Sequence, residues 1–502
     1  MGLLKRLGLT FGSILLALLI VESTVRYRDS YALRSIRLRG RTPLSQQISR
    51  GQATPSLIDH ARKVPVRPGI DLAWFQVDPP DVVRRPVDPA LQARYDEFER
   101  RDVYEPQSFY VWNPAFADMA CGEKRYVFRN FPRDVKEFES PEATPFPTYR
   151  FPPNQTLPSG LVTNQFGFRG PAVAPHKDAG LIRIAFVGAS TTQNLHTYRW
   201  SYPEITGAWL NLWLQHHRRT ERVEVVNAGR EGINSPDIRE IVKREVVPLQ
   251  PDYVVYLEGA DLVSPPAVTW PGGRPPAAPP MPTSRAAAWT GGLAKYSAFA
   301  KRLNSAIARL SGPTLGEPPK PRYELELPSP DRVTLDQLSS VFGTFLQNIT
   351  VNLDEDRRSV SRAGARLILS TVIRLVHDGL RLDPLSQAVT YQQLNTLFKP
   401  LTYADIRRLV DLQNAAYRLY AADRGIDLID VAAQFPEDTA LFLDTFHLNE
   451  RGIRLQAWLA FLRLTEILER DFNRLSVRPA ASSPAPASFP RIIDATLPSC
   501  TP

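Results

Sequence analysis

Cysteine is nearly absent from this 502-residue chain, which has only Cys121 and Cys500. Two thiols cannot build a four-thiolate metal site or the disulfide framework of a small secreted domain. At most they form one bridge tying the C-terminal tail to the upstream region, and two unrelated cysteines look the same in sequence. Histidine is also scarce, with seven in all. His216-His217 and His196 lack metal-ligand spacing, so they read as surface or core residues and no metal is expected. No G-x-x-x-x-G-K-[ST] or G-x-G-x-x-G run occurs, which leaves nucleotide binding unsupported and no cofactor expected. Internal repeats are missing as well. Lysine is far outnumbered by arginine, a bias that reflects codon usage as much as function. The basic residues are spread along the chain, and no Lys/Arg tract interleaves with aromatics. The formal charge of +9 and pI near 9.5 therefore read as a solvated surface beside an anionic membrane or polymer, with no nucleic-acid partner.

Long apolar runs are limited to one. Residues 7–21 are uncharged, preceded by Lys5 and Arg6 and followed by Glu22, Arg26 and Arg28. A basic start and an apolar stretch are the marks of an export signal. A small-x-small cleavage site is not evident, so residues 1–25 are expected to be an uncleaved signal anchor, with a cleaved signal peptide as the alternative. The basic residues ahead of the run predict a cytoplasmic N-terminus and an exported, periplasmic remainder.

Residues 26–160 are rich in Pro, Arg and aromatics and predict an extended, partly β accessory region, with short strands at 108–112 and 125–128. From Leu181 the pattern changes to alternating β and α. Strands are expected at 182–187, 222–226, 252–257, 366–371 and 427–430. Helices are expected near 200–217, 235–247, 335–363, 402–424 and 450–472. This alternation implies an α/β fold with a central parallel sheet covered on both faces. The third strand is followed by a Pro-rich insertion, 264–334, which reads as a lid over the site or as a surface excursion. Residues 474–502 form an Ala/Pro/Ser-rich tail, expected to be disordered.

Two runs carry chemistry. Leu443-Asp444-Thr445-Phe446-His447-Leu448-Asn449 sets a carboxylate three residues before an imidazole, ahead of a helical pattern. On a turn, that spacing lets Asp444 bond one ring nitrogen of His447 and leaves the other free to act as a base. The strand Ile182–Val187 ends in Gly188-Ala189-Ser190-Thr191-Thr192, which puts Ser190 where a strand exits and a helix starts. Unpaired N–H groups and the helix dipole there favour developing negative charge. Read blandly, Ser190 and Asp444 are helix caps and His447 is a buried, hydrogen-bonded ring. The nucleophile elbow G-x-S-x-G is absent, since Thr192 stands where its second glycine belongs. Ser190, Gly232 and Asp261 each follow a strand. The rule that ligands bind beyond the carboxyl ends of parallel strands puts all three on one rim, with Asp444 and His447 in reach of it.

These blocks resemble the SGNH/GDSL-type serine esterases. Gly188-Ala189-Ser190 is similar to the first block of that family and Asp444-Thr445-Phe446-His447 to the last. The run Asn227-Ala228-Gly229-Arg230-Glu231-Gly232 resembles the second, with Gly232 at the oxyanion position and Gly229 shaping the turn. The third block departs from the family. Where G-x-N-D is usual, the chain reads Glu258-Gly259-Ala260-Asp261, so the oxyanion-donating Asn is replaced by Asp261 or deleted. Losing one such donor costs roughly 100- to 1,000-fold in rate. The run Asn164-Gln165-Phe166-Gly167-Phe168-Arg169-Gly170 resembles one found before the first block in many membrane-anchored bacterial members. On its own it reads as a tight turn with an aromatic plug.

The resemblance implies an SGNH (flavodoxin-like) three-layer fold over residues 161–473. It also implies a Ser190–His447–Asp444 catalytic site and an oxyanion hole from Ser190 and Gly232, with Asp261 standing where the family has its third donor. The activity implied is hydrolysis of acyl or acetyl esters, with envelope polysaccharide as a candidate substrate by analogy. There are two rivals: an O-acyltransferase using the same Ser-His-Asp residues, and a catalytically silent SGNH-fold envelope protein, which the missing Asn would suit.

Overall fold

The computed structural model describes residues 2–28, 55–82, 160–174, 177–194, 198–230, 233–259, 297–300, 327–380 and 401–476, except for a few positions in 55–476, with isolated positions between these segments. Cys121, Cys500, Gly232, Asp261, the expected strands at 108–112 and 125–128, and most of the insertion and of the tail lie outside the described residues.

Five strands form one sheet among the described residues: β1 (Leu181–Gly188), β2 (Arg222–Asn227), β3 (Tyr253–Leu257), β4 (Arg366–Ser370) and β5 (Asp427–Ile429). Their order is β2-β1-β3-β4-β5 and every pairing is parallel. Parallel strands are covered on both faces, which is why β1 and β3 are apolar runs buried along their whole length. Arg183 is an apparent exception inside β1. It is tolerated because its guanidinium bonds Glu224 at 2.5 Å, the Ala174 carbonyl at 2.8 Å and the Leu249 carbonyl.

The helices of this domain are α3 (Ser190–Gln193), α4 (Tyr202–His216), α5 (Ser235–Ile241), α6 (Leu335–Phe342), α7 (Thr344–Arg362), α8 (Tyr403–Arg424) and α9 (Glu450–Ser476). Among the described residues two more lie upstream, α1 (Gly2–Arg28) and α2 (Pro55–Lys63). The chain steps from β1 outward to β2, then back past β1 to β3. Right-handed crossovers in opposite directions put the connecting helices on opposite faces. Accordingly α4 packs with α9, while α5 packs with α7, and α7 and α8 contact β4. The result is a three-layer α/β fold with the flavodoxin-like strand order. The reversal of direction makes the carboxyl ends of β1 and β3 the switch point where a ligand cleft opens.

Two helices differ from expectation. The stretch read as one helix over 335–363 is broken at Gly343, whose φ of 51° and ψ of −133° suit glycine and interrupt the helix between α6 and α7. The stretch 235–247 leaves α-helical geometry after Ile241 through a π turn, Val242–Val246, and a 3₁₀ turn, Val247–Leu249. Pro248 has no N–H to continue the ladder, so the turn widens before it and tightens at it.

Part of the upstream region packs on the sheet domain. Trp209 donates its indole N–H to the Val77 carbonyl at 2.9 Å, and Arg454 donates to the Phe75 carbonyl at 2.9 Å. Phe75 meets Trp209 and Trp458 with ring centroids 5.9 and 5.6 Å apart. Residues 72–77 thereby strap α4 to α9.

Candidate active site

β1 delivers Ser190 to the switch point. Gly188 at its end has φ 156°, and a Cβ there would overlap the Leu257 carbonyl oxygen and the Thr192 hydroxyl. Only glycine lets β1 and β3 stay paired as the chain turns out of the sheet. Ser190 then opens α3, which has just four residues. A single turn has little dipole, and Thr192 and Gln193 already donate to the Ala189 carbonyl at 3.0 Å, so the expected contribution shrinks to the N–H groups of Ser190 and Thr191.

The turn is braced from behind. Asn227 donates to the Thr192 carbonyl at 3.2 Å and the Ser201 hydroxyl at 3.0 Å, and accepts from the Gly229 N–H at 3.0 Å. Arg169 is fully buried; it pairs with Glu204 at 3.0 Å and donates to the Asn194 carbonyl and, at 2.6 Å, the Tyr198 carbonyl. The loop holding Arg169 is itself tied by Asn164, whose carboxamide oxygen accepts from the N–H groups of Phe166 and Phe168 at 3.0 and 3.1 Å. The Asn164–Gly170 run is thus a turn with an aromatic plug, and it also carries the arginine that fixes the far end of α3.

The Asp444–His447 loop arrives from the opposite side. The Asp444 carboxylate is 1 % exposed. One oxygen accepts from the His447 N–H at 2.8 Å and the Phe446 N–H at 2.9 Å; the other is 2.7 Å from His447 Nδ1. Burial pushes this carboxyl's pKa up, but the imidazole charge and the hydrogen bonds from His447 and Phe446 outweigh it and hold the group well below the usual carboxylate range. Asn449, not Asp444, caps α9, accepting from the N–H groups of Arg451 and Gly452. The loop closes on itself through the Leu443 N–H and His447 carbonyl at 2.8 Å, and on β4's exit through the Leu375 N–H and Thr445 carbonyl at 3.1 Å.

Ser190 Oγ lies 2.8 Å from His447 Nε2. With Nδ1 held by Asp444, the neutral ring carries its proton on Nδ1 and turns a lone pair toward the serine hydroxyl. A hydroxyl so placed can lose its proton as it attacks an electrophilic carbon. The Ser190–His447 hydrogen bond joins residues 257 positions apart in the chain, while Asp444 and His447 are three apart.

Among the N–H groups near Ser190, several are already committed. Ala228 N bonds the Phe186 carbonyl at 2.9 Å, Arg230 N the Gly188 carbonyl at 3.0 Å, and Gly229 N the Asn227 side chain. Gly229 shapes the turn, as expected, and a Cβ on it would meet Gln193 N at 2.5 Å. The expected donor Gly232 and the altered third-block residue Asp261 fall outside the described residues.

A pocket opens beside the serine, lined by Ser190, Thr191, Leu257, Val372, Phe446 and Gln456 among others. Thr191, Gln456, Asn227 and Arg169 had no chemical role in the sequence reading. No spacing rule links them to Ser190, and only the N-x-x-G-F-R-G resemblance pointed at Arg169.

The fold and site define an α/β protein with a serine–histidine–aspartate array at the switch point of a flavodoxin-like sheet. No family model and no curated protein matches the chain. Solved structures give distant likenesses. An acetyl xylan esterase, AlAXEase, is 15 % identical, with 57 % of this chain and 100 % of that one covered at a TM-score of 0.29. A putative lipolytic protein of the G-D-S-L family from Desulfitobacterium hafniense DCB-2 is 11 % identical, covering 56 % and 98 % at 0.29. A catalytic mutant of Axe2, an acetylxylan esterase from Geobacillus stearothermophilus, is 13 % identical, covering 62 % and 100 % at 0.29. Likenesses this distant carry no argument about chemistry, which rests on the geometry of the chain itself.

Proposed function

We propose that the chain is a membrane-anchored, extracytoplasmic serine esterase of the SGNH/GDSL type, acting on acyl or acetyl esters. The observation that carries this reading is the unbroken relay from the buried Asp444 carboxylate through His447 to Ser190, with contacts of 2.7 and 2.8 Å. In the first half-reaction His447 Nε2 takes the Ser190 proton as Oγ attacks the ester carbonyl. The Ser190 N–H and that of Gly232 stabilise the oxyanion. The C–O bond to the alcohol breaks, and His447 returns its proton to the departing oxygen. In the second half, water gives its proton to His447 and attacks the acyl-enzyme, releasing the acid and restoring Ser190. Asp444 keeps the Nδ1 tautomer and stabilises the imidazolium.

The anchor has support of its own. Gly8–Arg28 of α1 has the length and hydropathy to cross a bilayer, and its large apolar residues from Leu9 to Val21 are exposed. A cleaved signal passes the same test. Yet Glu22 accepts from the Ser297 hydroxyl at 2.7 Å and the N–H groups of Ala298 and Phe299 at 2.8 and 2.9 Å, while Arg26 holds it at 2.6 Å. Val25 and Ala298 bury each other. A peptide destined for removal has no need of such bonds to a segment nearly 300 residues on, which favours retention.

The test is labelling of the full-length protein in detergent with a fluorophosphonate. Wild type is expected to be labelled and to hydrolyse p-nitrophenyl acetate, and Ser190→Ala and His447→Ala are each expected to lose turnover while staying folded. A folded wild type that is neither labelled nor active would return the chain to the silent-fold reading. Labelling with acyl transfer to a sugar hydroxyl in preference to water would make it a transferase.

A further inference from the structure

Two polar atoms beside the proposed nucleophile are buried without a hydrogen-bond partner: the Thr191 hydroxyl and the Gln456 carbonyl oxygen. Both residues line the pocket that Ser190 and His447 open onto. Gln456 is 3 % exposed and reaches the pocket from α9, while Thr191 comes from α3, so two distant elements converge on one place. Much of the remaining lining is apolar: Leu257, Val372, Ile373, Phe446 and Leu448. Buried polar groups are nearly always satisfied, and an unsatisfied one in a pocket wall marks where a ligand supplies the missing bond.

The chemistry of the pair specifies that ligand. A carboxamide oxygen can only accept, and a threonine hydroxyl can donate or accept. A ligand hydroxyl has the chemistry for both, donating to the Gln456 oxygen and accepting from the Thr191 hydroxyl. An ester carbonyl or an alkyl chain cannot donate to Gln456.

We propose that Thr191 and Gln456 are specificity-determining residues that hold a free hydroxyl beside the reacting ester, selecting esters of polyhydroxy alcohols over simple alkyl or aryl esters. This rests on the esterase reading above and adds a substrate class to it. A site built to bond a hydroxyl discriminates strongly against an analogue lacking it, because the wall atoms are then left unpaired in the complex.

The experiment compares wild type with Gln456→Met and Thr191→Val, which keep side-chain volume and remove the hydrogen-bonding atoms. Substrates are a mono-acetylated methyl glucoside with a free hydroxyl next to the ester, and p-nitrophenyl acetate, which has none. Each variant is expected to lose about 10-fold or more in kcat/KM on the sugar ester, in line with one lost bond of about 1.5 kcal/mol. The loss on p-nitrophenyl acetate and in the rate of fluorophosphonate labelling is expected to be at least about 5-fold smaller than on the sugar ester, since neither probe carries the free hydroxyl. Equal losses on both substrates would make the pair structural and overturn the inference. An unchanged rate on the sugar ester would overturn it too, leaving an ordered water as the partner of the two atoms. A wild type that labels and cleaves p-nitrophenyl acetate but gains nothing from the free hydroxyl would remove this inference alone. A wild type that does neither would remove the esterase reading as well.

Discussion

Asp444 satisfies three donors with one carboxylate: the His447 ring and the N–H groups of residues 446 and 447. Replacing it by Asn keeps an oxygen for the two backbone donors, so the loop is expected to hold. The amide nitrogen, however, would face Nδ1 as a donor and force the other tautomer, putting the proton on Nε2 where a lone pair is needed. Asp444→Asn is therefore expected to lower kcat by about 10⁴-fold with the far-ultraviolet spectrum unchanged. A loss under 10-fold, roughly, would leave Asp444 as a loop brace only. The same carboxylate makes a pH-dependent contribution to stability. Its folded pKa lies below the unfolded value of about 3.9. Its stabilisation is therefore full above about pH 4 and is lost as pH falls toward the folded pKa. Thermal melts should show the gap between wild type and Asp444→Asn closing below about pH 4.

Among the elements, α7 carries an unusual burden. Asp356 is fully buried on it, with neither carboxyl oxygen hydrogen-bonded. Burial raises its pKa well above the usual value, Arg239 opposes this, and Glu355 and Glu240 add to it. The neutral acid is the form the fold accepts, since an unpaired carboxylate in an apolar setting is costly. A raised folded pKa contributes stability below the unfolded pKa of about 3.9 and loses it as pH climbs toward the folded value. Asp356→Asn has no proton to lose. Its melting temperature is expected to gain on that of wild type as pH rises above about 4, and the gain should vanish at the acid end. A constant offset across that range would show that Asp356 does not titrate. By contrast α8 uses its buried polar residues as clamps. Asn414 both donates to and accepts from Val372 at the exit of β4, and Gln413 donates to the Glu258 carbonyl past β3 at 2.9 Å. These bonds fix the strand ends that form the rim.

Across the whole molecule, the exit of α1 is tied to residues 297–300 of the insertion by Glu22 and by the Val25–Ala298 contact. A double-cysteine variant, Val25→Cys with Ala298→Cys in a background with Cys121 and Cys500 changed to Ser, tests this together with topology. An internal crosslink is expected on exported, membrane-bound protein. Recovery of a soluble form starting after residue 25, with no crosslink, would make the segment a cleaved signal. A reporter fused after about residue 60 is expected to be active only outside the cytoplasm, as the basic residues ahead of the apolar run dictate.

The chain's one-dimensional pattern determined what depends on near neighbours. Apolar runs and helical periods placed the five strands within about two residues, because burial on both faces of a parallel sheet writes itself into consecutive positions. The Asp444–His447 pairing was legible for the same reason, since both partners sit on one turn three residues apart. Gly188 was legible as the end of a strand, though its clash with Leu257 was not. What only the tertiary structure decided is everything joined across long separations. The approach of Ser190 to His447 spans 257 residues and depends on β1 and the last loop meeting at the same edge of the sheet. The bracing of α3 by Arg169 and Asn227, and the convergence of Thr191 and Gln456 on one pocket, follow from helices packed on the sheet. Periodicity records which face a residue takes, but not which distant side chain stands opposite it. That is settled by strand order, crossover hand and the packing of layers, where the cost of burying a polar atom without a partner disfavours the wrong arrangements.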